Sequence, residues 1–575
     1  MLRLYKFLKP YTLMIVGVFF FVTLQSLGDL YLPTLMSNII NEGVMQGDTK
    51  RILEIGGVML LVAGVGVICS IIASFLSAKV AANLGTILRN KVFRRVESYS
   101  LNEFDKFGTA TLITRTTNDI TQIQTVTIMI MRMMISAPIM AIGGLILALR
   151  KDRPLTLVLA VAIPVLAIVV ATIASKVIPL FKLVQVKIDK INLVLREKLT
   201  GIRVIRAFNT VELERKRFDE ANVDLTETYI KVNRIMAFMM PSIMLVMNFT
   251  SLAILWFGGI RISKGSMDLG SLAAFTQYAM QIMFSMLMLA MMFIMVPRAQ
   301  AAATRINEVL DTMPEIKDVE KTVDTFTSRG HLEFRDVTFS YEGAEEPVLK
   351  NISFKANPGE VTAIIGSTGS GKSTLVNLIP RFYDVDSGSI LIDGVDIREM
   401  SQETLRNKIG FVPQKAILFS GTIADNIRFG KEDATDEEIR HAAEVAQALE
   451  FIENMDGGFN HEISQGGTNV SGGQKQRLSI ARALVRKPEI YVFDDSFSAL
   501  DFKTDAKLRA ALKKETKDST VIIVAQRVAT IMDADRIIVL DEGKIVGIGT
   551  HRELLEQCDV YREIVSSQLL EEEIA

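Results

Sequence analysis

The stretch "GSTGSGKST" occupies residues 366–374, directly after the β-rich "VTAII" and before the helical "LVNLIP". Gly366, Gly369 and Gly371 free the backbone to curl until its amides face one centre. An ammonium, Lys372, and a hydroxyl, Ser373, follow at the start of the helix. Convergent amides, a helix N-terminus and a lysine suit one kind of ligand, a polyphosphate. Lys372 then reaches β- and γ-phosphate oxygens, and the Ser373 hydroxyl can ligate Mg²⁺. The strand-loop-helix context is the one this pattern requires, so Gly366, Ser367, Thr368, Gly369, Ser370, Gly371, Lys372, Ser373 and Thr374 are expected to line a nucleotide.

Around this loop, from about His331 to the end, short β-rich runs ("HLEFRDVTFSY", "VTAIIG", "KIGFVPQ", "IYVFD", "TVIIVA", "RIIVLD") alternate with helical stretches. That alternation predicts a mostly parallel sheet covered by helices. Upstream the composition is different, and it explains why the 575-residue chain is 49 % hydrophobic with 27 Met. Six segments, near 13–37, 53–78, 128–149, 154–178, 235–260 and 270–297, are apolar for about the 20 residues that cross roughly 30 Å of hydrocarbon. The connections after the second and fourth are polar, helical in pattern and about 50 residues long. They concentrate Lys79, Arg89, Arg94, Arg95, Lys182, Arg203 and Arg206, which marks them as cytoplasmic. Only "RKDRP" at 150–154 disagrees. The expected architecture is a six-helix membrane bundle with long cytoplasmic extensions (1–312), a linker (313–330) and an α/β P-loop cassette (331–575). The N-terminus and the cassette are expected on the cytoplasmic side of a plasma (inner) membrane. A net charge of −1 gives no general attraction to nucleic acid. The two cysteines, Cys69 and Cys558, form no disulfide or metal pattern.

Two further motifs carry a resemblance. "NVSGGQKQRLSIARAL" (469–484) sets Ser471, Gly472, Gly473 and Gln474 at the head of a basic helix, and "IYVFDDSFSALD" (490–501) ends an apolar strand in two acids. A phosphate loop followed by SGGQ, then YVFDD and SALD, resembles the nucleotide-binding domain of an ATP-binding cassette protein. With six spans ahead of it, the whole chain resembles an ABC exporter half-transporter. The resemblance implies ATP and Mg²⁺ as cofactors. It assigns Tyr341 to stacking on adenine, Asp494 to Mg²⁺ through its water shell, and Gln414 to Mg²⁺ or water while sensing the membrane domain. Ser498 to Asp501 match the loop that faces the other cassette of a dimer. "TRTTNDI" (114–120) and "RAFNTVELE" (206–214) look like the helices that dock on cassettes.

Two positions depart from the family. Asp495 stands where a Glu usually orients the attacking water, and the lost methylene removes roughly 1.5 Å of reach. Gln526, in "TVIIVAQRVATI" (520–531), replaces the usual switch His and cannot become cationic or relay a proton. Both lie in the site built on this chain's own phosphate loop, whereas SGGQ is intact. The pattern resembles the degenerate-site subunit of heterodimeric bacterial multidrug exporters, so a second half-transporter with a competent site is the expected partner. The expected cargo is an amphipathic small molecule. Homodimeric export of a lipid, peptide or haem-related compound stays open, as does an ATP-binding regulatory or gating subunit. Asp29, Gln25, Arg132, Asn248, Gln277, Gln281 and the Met-rich fifth and sixth spans are the candidates for cargo contact.

Overall fold

The computed structural model describes residues 1–319, 322–323 and 329–568, and all of their side chains but those at 293 and 294. Part of the expected linker, at 320–321 and 324–328, therefore lies outside the described residues. The chain divides into two compact units, one of Met1–Glu97 with Thr109–Thr312, the other of Ser98–Gly108 with the residues from Met313 onward.

The first unit is all helix. Five of the expected apolar segments fall within longer helical stretches and the fourth, 154–178, starts two residues ahead of its helix, the six running Leu2–Val44, Thr49–Glu97, Thr109–Lys151, Thr156–Thr200, Val211–Ser263 and Leu269–Asp311. Thr49–Glu97 is the longest unbroken helix. At 1.5 Å per residue it reaches about 74 Å, more than twice the hydrocarbon thickness. It is therefore too long to lie wholly in lipid, and its distal half carries Lys79, Arg89, Arg94 and Arg95. Leu60, Leu61, Ile68 and Phe75 on this helix are all exposed. The fifth span is broken at Phe238, between Val211–Ala237 and Met239–Ser263. Pro241 lies in the first turn of the second piece, where its missing N–H costs least but cannot continue the preceding helix.

Span contacts combine small residues with polar side chains, as expected where lipid removes the hydrophobic drive between helices. A Cβ on Gly143 would meet Leu30 at 2.5 Å, so the first and third spans close through that glycine. Thr34 and Tyr278 share a hydrogen bond of 2.6 Å. Gln281 donates to the Asp29 carbonyl at 2.9 Å, and Gln25 hydrogen-bonds the Asp29 side chain. These candidates for cargo contact thus tie spans one and six together. Of the Met residues in the last two spans, Met283 is buried, with Met239, Met247, Met280 and Met286 packed beside it, whereas Met240, Met244 and Met288 are exposed.

Beyond the apolar stretches, ion pairs take over. Arg305 donates to both oxygens of the buried Asp119, at 2.8 and 2.5 Å. Arg115 donates to the Arg305 carbonyl at 2.9 Å and pairs with Glu308 at 3.0 Å. The segment "TRTTNDI" thus belongs to the membrane unit, its Arg115 and Asp119 paired against the end of the last helix. The part of that connection that packs with the cassette residues is Ser98–Gly108. Its short helix Leu101–Phe107 is capped by a reciprocal Ser100–Glu103 pair and stops at Gly108, whose φ of 72° only glycine adopts freely. Glu103 accepts from the Glu315 amide at 3.0 Å, and Lys106 meets Glu342 at 3.5 Å. In "RAFNTVELE" the chain turns at Phe208 to Thr210, and Phe208 is 76 % exposed.

The second unit holds a six-stranded sheet, ordered Lys544–Gly549, Arg536–Asp541, Val361–Gly366, Thr520–Val524, Ile490–Asp494, Ile409–Val412. All neighbours are parallel except the edge pair Lys544–Gly549 with Arg536–Asp541. Ile490–Asp494 and Thr520–Val524 are buried at every residue, as strands covered on both faces must be. "HLEFRDVTFSY" departs from expectation, joining a separate four-stranded antiparallel sheet. Its alternation carries the reason: Leu332, Phe334, Val337 and Phe339 are buried on one face while polar residues take the other.

Arg305→Ala leaves Asp119 buried without its two charge-assisted donors, at a cost of about 2 kcal/mol. The detergent-solubilised protein is expected to melt earlier, with Arg305→Lys recovering part of the loss.

Candidate functional site

Parallel strands deliver their carboxyl ends to one edge of a sheet, and ligands bind there. The phosphate loop and three of the other expected residues arrive this way from neighbouring strands. The phosphate loop follows Val361–Gly366, Asp494 closes Ile490–Asp494, Gln526 lies just past Thr520–Val524, and Gln414 just past Ile409–Val412. Gly366 has to be glycine, because a Cβ there would lie 2.0 Å from the Leu540 carbonyl oxygen. Gly369 and Gly371 adopt φ of 87° and 97°, turning the loop back into the helix Lys372–Leu378.

Within the loop, the Lys372 ammonium donates to the carbonyls of Gly366 at 2.9 Å and Ser367 at 2.7 Å. Burial lowers its pKa from the ordinary lysine value, while the charges of Asp495 and Asp494 act against that. A cation held at such a desolvation cost is poised for phosphate oxygens, which would satisfy it better than carbonyls do. The Ser373 hydroxyl donates to Asp494 Oδ1 at 3.0 Å. Burial pushes the Asp494 carboxyl up; the Ser373 bond lowers it and the like charge of Asp495 raises it further. Hydroxyl and carboxylate oxygens are the donor set that suits a hard cation such as Mg²⁺. Among the described residues no group of three or more His, Cys, Asp or Glu could hold a metal. A cation here would complete its shell with water and phosphate.

Asp495 is 8 % exposed and has a φ of 45°, in the left-handed region. Its amide donates to the Val524 carbonyl at 3.0 Å, which ties the turn to the neighbouring strand. Its Oδ2 accepts from two amides at once, Gln414 at 3.1 Å and Gln526 at 2.8 Å. The two departures noted in the sequence are thus in direct contact, and a water seeking that oxygen competes with both amides.

Tyr341 packs edge-on against Phe339 and Tyr383, and its hydroxyl shares a hydrogen bond of 3.0 Å with Thr374, joining the aromatic cluster to the phosphate-loop helix. The remaining expected residues stand apart. Ser471 caps the helix Gly472–Leu484 through a reciprocal box with Gln474, at 2.9 and 3.3 Å. Gly473 faces Ala499 and Leu500, so SGGQ backs onto the segment that ends in Asp501. Asp501 caps its own helix through the Thr504 amide at 3.0 Å, and that bond lowers its pKa. None of Ser471, Gln474 and Asp501 bonds the phosphate-loop cluster; each is engaged in its own helix cap.

Residues 14–286 match the ABC transporter transmembrane region and residues 349–498 the ABC transporter family model. An uncharacterized ABC transporter ATP-binding protein of Mycobacterium tuberculosis is 44 % identical over 98 % of this chain and 97 % of that protein. The chain belongs to the ABC transporter family. It is similar as well to the ATP-dependent lipid A-core flippase of Vibrio parahaemolyticus, 30 % identical over 98 % of this chain and 96 % of that one. Among solved structures, a bacterial Atm1-family ABC exporter with ATP bound aligns with a TM-score of 0.80 at 26 % identity, over 97 % of this chain and 98 % of that one. This ABC protein is therefore a multi-pass membrane protein with its cassette on the cytoplasmic side, binding ATP and coupling its hydrolysis to export.

One contact lay beyond any motif. Gln568, near the C-terminal end, donates to the Gln526 carbonyl and accepts from the Val528 amide, both at 2.8 Å. No spacing or composition signal marks it, because both partners are backbone atoms.

Gly366→Ala drives a methyl into the Leu540 carbonyl and is expected to abolish binding of a fluorescent ATP analogue, whereas Thr368→Ala, at an exposed loop position, retains it.

Proposed function

We propose that this chain is one half of a heterodimeric ABC exporter whose own Walker site holds ATP and turns it over slowly. The observation that carries this is the pair of amide donors on Asp495 Oδ2, from Gln414 at 3.1 Å and Gln526 at 2.8 Å. A general base has to reach the water it activates, and misplacement near 1 Å can cost about a hundredfold in rate. Asp495 starts a methylene short, its outer oxygen is occupied, and Gln526 supplies no cationic donor for the γ-phosphate.

In this reading the phosphate loop and Lys372 bind the ATP phosphates, and Tyr341 stacks on adenine. Ser373, Asp494 and Gln414 hold Mg²⁺, partly through water. Ser471 to Gln474 and Asp501 complete a competent site on a partner half-transporter. The membrane domain takes 1–312, the linker 313–330 and the cassette 331–575. The cargo is amphipathic, of the multidrug type; exposed thioethers such as Met240, Met244 and Met288 adapt to varied apolar shapes. Similarity to a lipid A-core flippase favours a second reading, a homodimeric exporter of a lipid-like amphipath.

ATP hydrolysis by the chain alone in lipid nanodiscs, with bound nucleotide quantified, separates the two. Slow turnover that Asp495→Glu with Gln526→His raises at least about tenfold supports the slow-site reading. Brisk, lipid-stimulated turnover by the unmodified chain overturns it in favour of the homodimer.

A pH dependence follows from Asp494. Its ionised form holds the cation and its pKa is raised, so Mg²⁺ affinity of the ATP-loaded chain is expected to fall with acidification sooner than at an ordinary carboxylate. Asp495→Asn removes the like charge and is expected to move that fall to lower pH, as read by calorimetric Mg²⁺ titration.

A further inference from the structure

The switch segment after Thr520–Val524 leaves the sheet early. Ala525 is its last residue with a strand partner, donating to the Ile364 carbonyl at 3.1 Å. Beyond it, the Gln526 carbonyl and the Val528 amide find their partner in one side chain, the Gln568 amide, at 2.8 Å each. Donor and acceptor of a single planar group thus bond residues i and i+2 on the same edge, as a neighbouring strand would. Gln568 itself is held in place by the helix Asp559–Ser566, whose Tyr561 and Val565 are fully buried in the core that also contains Val528.

We propose that Gln568 is a positioning residue for the ATPase site. By replacing the missing strand neighbour it fixes the backbone at Gln526, and so keeps the residue-526 side chain directed at Asp495 Oδ2. The chain of contact runs from Gln568 to the backbone of 526, to its side chain, to the carboxylate at the reacting end of the nucleotide site. Because Gln568 grips main-chain atoms, the grip is indifferent to whether residue 526 is Gln or His. The proposal rests on the ATPase activity of the family, and does not depend on a heterodimer or on slow turnover.

The test uses the full chain in nanodiscs, as it stands and with Asp495→Glu and Gln526→His, each with Gln568→Ala or Gln568→Glu. Hydrogen exchange of the Val528 amide is measured beside the kcat and KM for ATP. Gln568→Ala is expected to speed that exchange at least about tenfold in both chains; in the chain with Asp495→Glu and Gln526→His it is expected to lower kcat about three- to tenfold with KM within about twofold, and in the unmodified chain, where Gln526 occupies Asp495, not to lower kcat. Gln568→Glu, which keeps the acceptor for Val528 and loses the donor to Gln526, is expected to fall between. In a Gln526→Ala background, Gln568→Ala is expected to cause no further change of kcat. The proposal is overturned if exchange accelerates while kcat stays unchanged in both backgrounds. It is equally overturned if kcat, KM and melting temperature all deteriorate and the losses add to those of Gln526→Ala, since that marks a purely structural role.

Discussion

The nucleotide site depends on the in-register parallel pairing of Val361–Gly366, Thr520–Val524 and Ile490–Asp494. Val524 pairs with both Ile364 and Asp494, so the phosphate loop, the switch residue and the two acids all emerge at one edge. A slip of one residue along any of these strands would rotate its side chains to the other face. Lys372, Ser373, Asp494 and Asp495 meet because three apolar runs far apart in sequence are each buried on both sides.

That burial also sets the electrostatics. An ammonium and two carboxylates are gathered where water is scarce, so the Lys372 and Asp494 pKa values are each displaced toward the neutral form, and the groups partly relieve one another. Such a cluster is costly to bury, and phosphate and a cation are groups that would relieve that cost. Asp495 is handled differently. Its Oδ2 is saturated by Gln414 and Gln526, and the second of these is itself held by Gln568. Asp495 is therefore at the centre of a hydrogen-bond network running from Gln414, just past Ile409–Val412, to Gln568, just past the helix Asp559–Ser566.

In the membrane unit the solvent imposes another solution. Lipid offers no hydrogen-bond partners, so the backbone closes on itself as helix, and polar side chains reach across between spans, as Thr34 to Tyr278 and Gln281 to the Asp29 carbonyl. Where the helices leave lipid the rule changes, and Asp119, Arg305, Arg115 and Glu308 form a charged knot.

Six spans, the α/β cassette, the phosphate loop and the two unusual residues at 495 and 526 were legible in the sequence. Each rests on local chemistry: apolar length against bilayer thickness, glycines where positive φ or close approach is needed, residue type where a proton or cation is handled. Tertiary structure alone decided the rest. It placed "HLEFRDVTFSY" in a separate antiparallel sheet and kept Arg115 and Asp119 with the membrane helices, while Ser98–Gly108 went with the cassette. It joined Asp495 to both Gln414 and Gln526, and set Gln568 on the switch backbone. The division has one physical cause. Periodicity and residue type report the solvent and conformation a segment requires, whereas the partner of a hydrogen bond or ion pair is whatever packing brings within about 3 Å, and a backbone partner has no letter in the sequence.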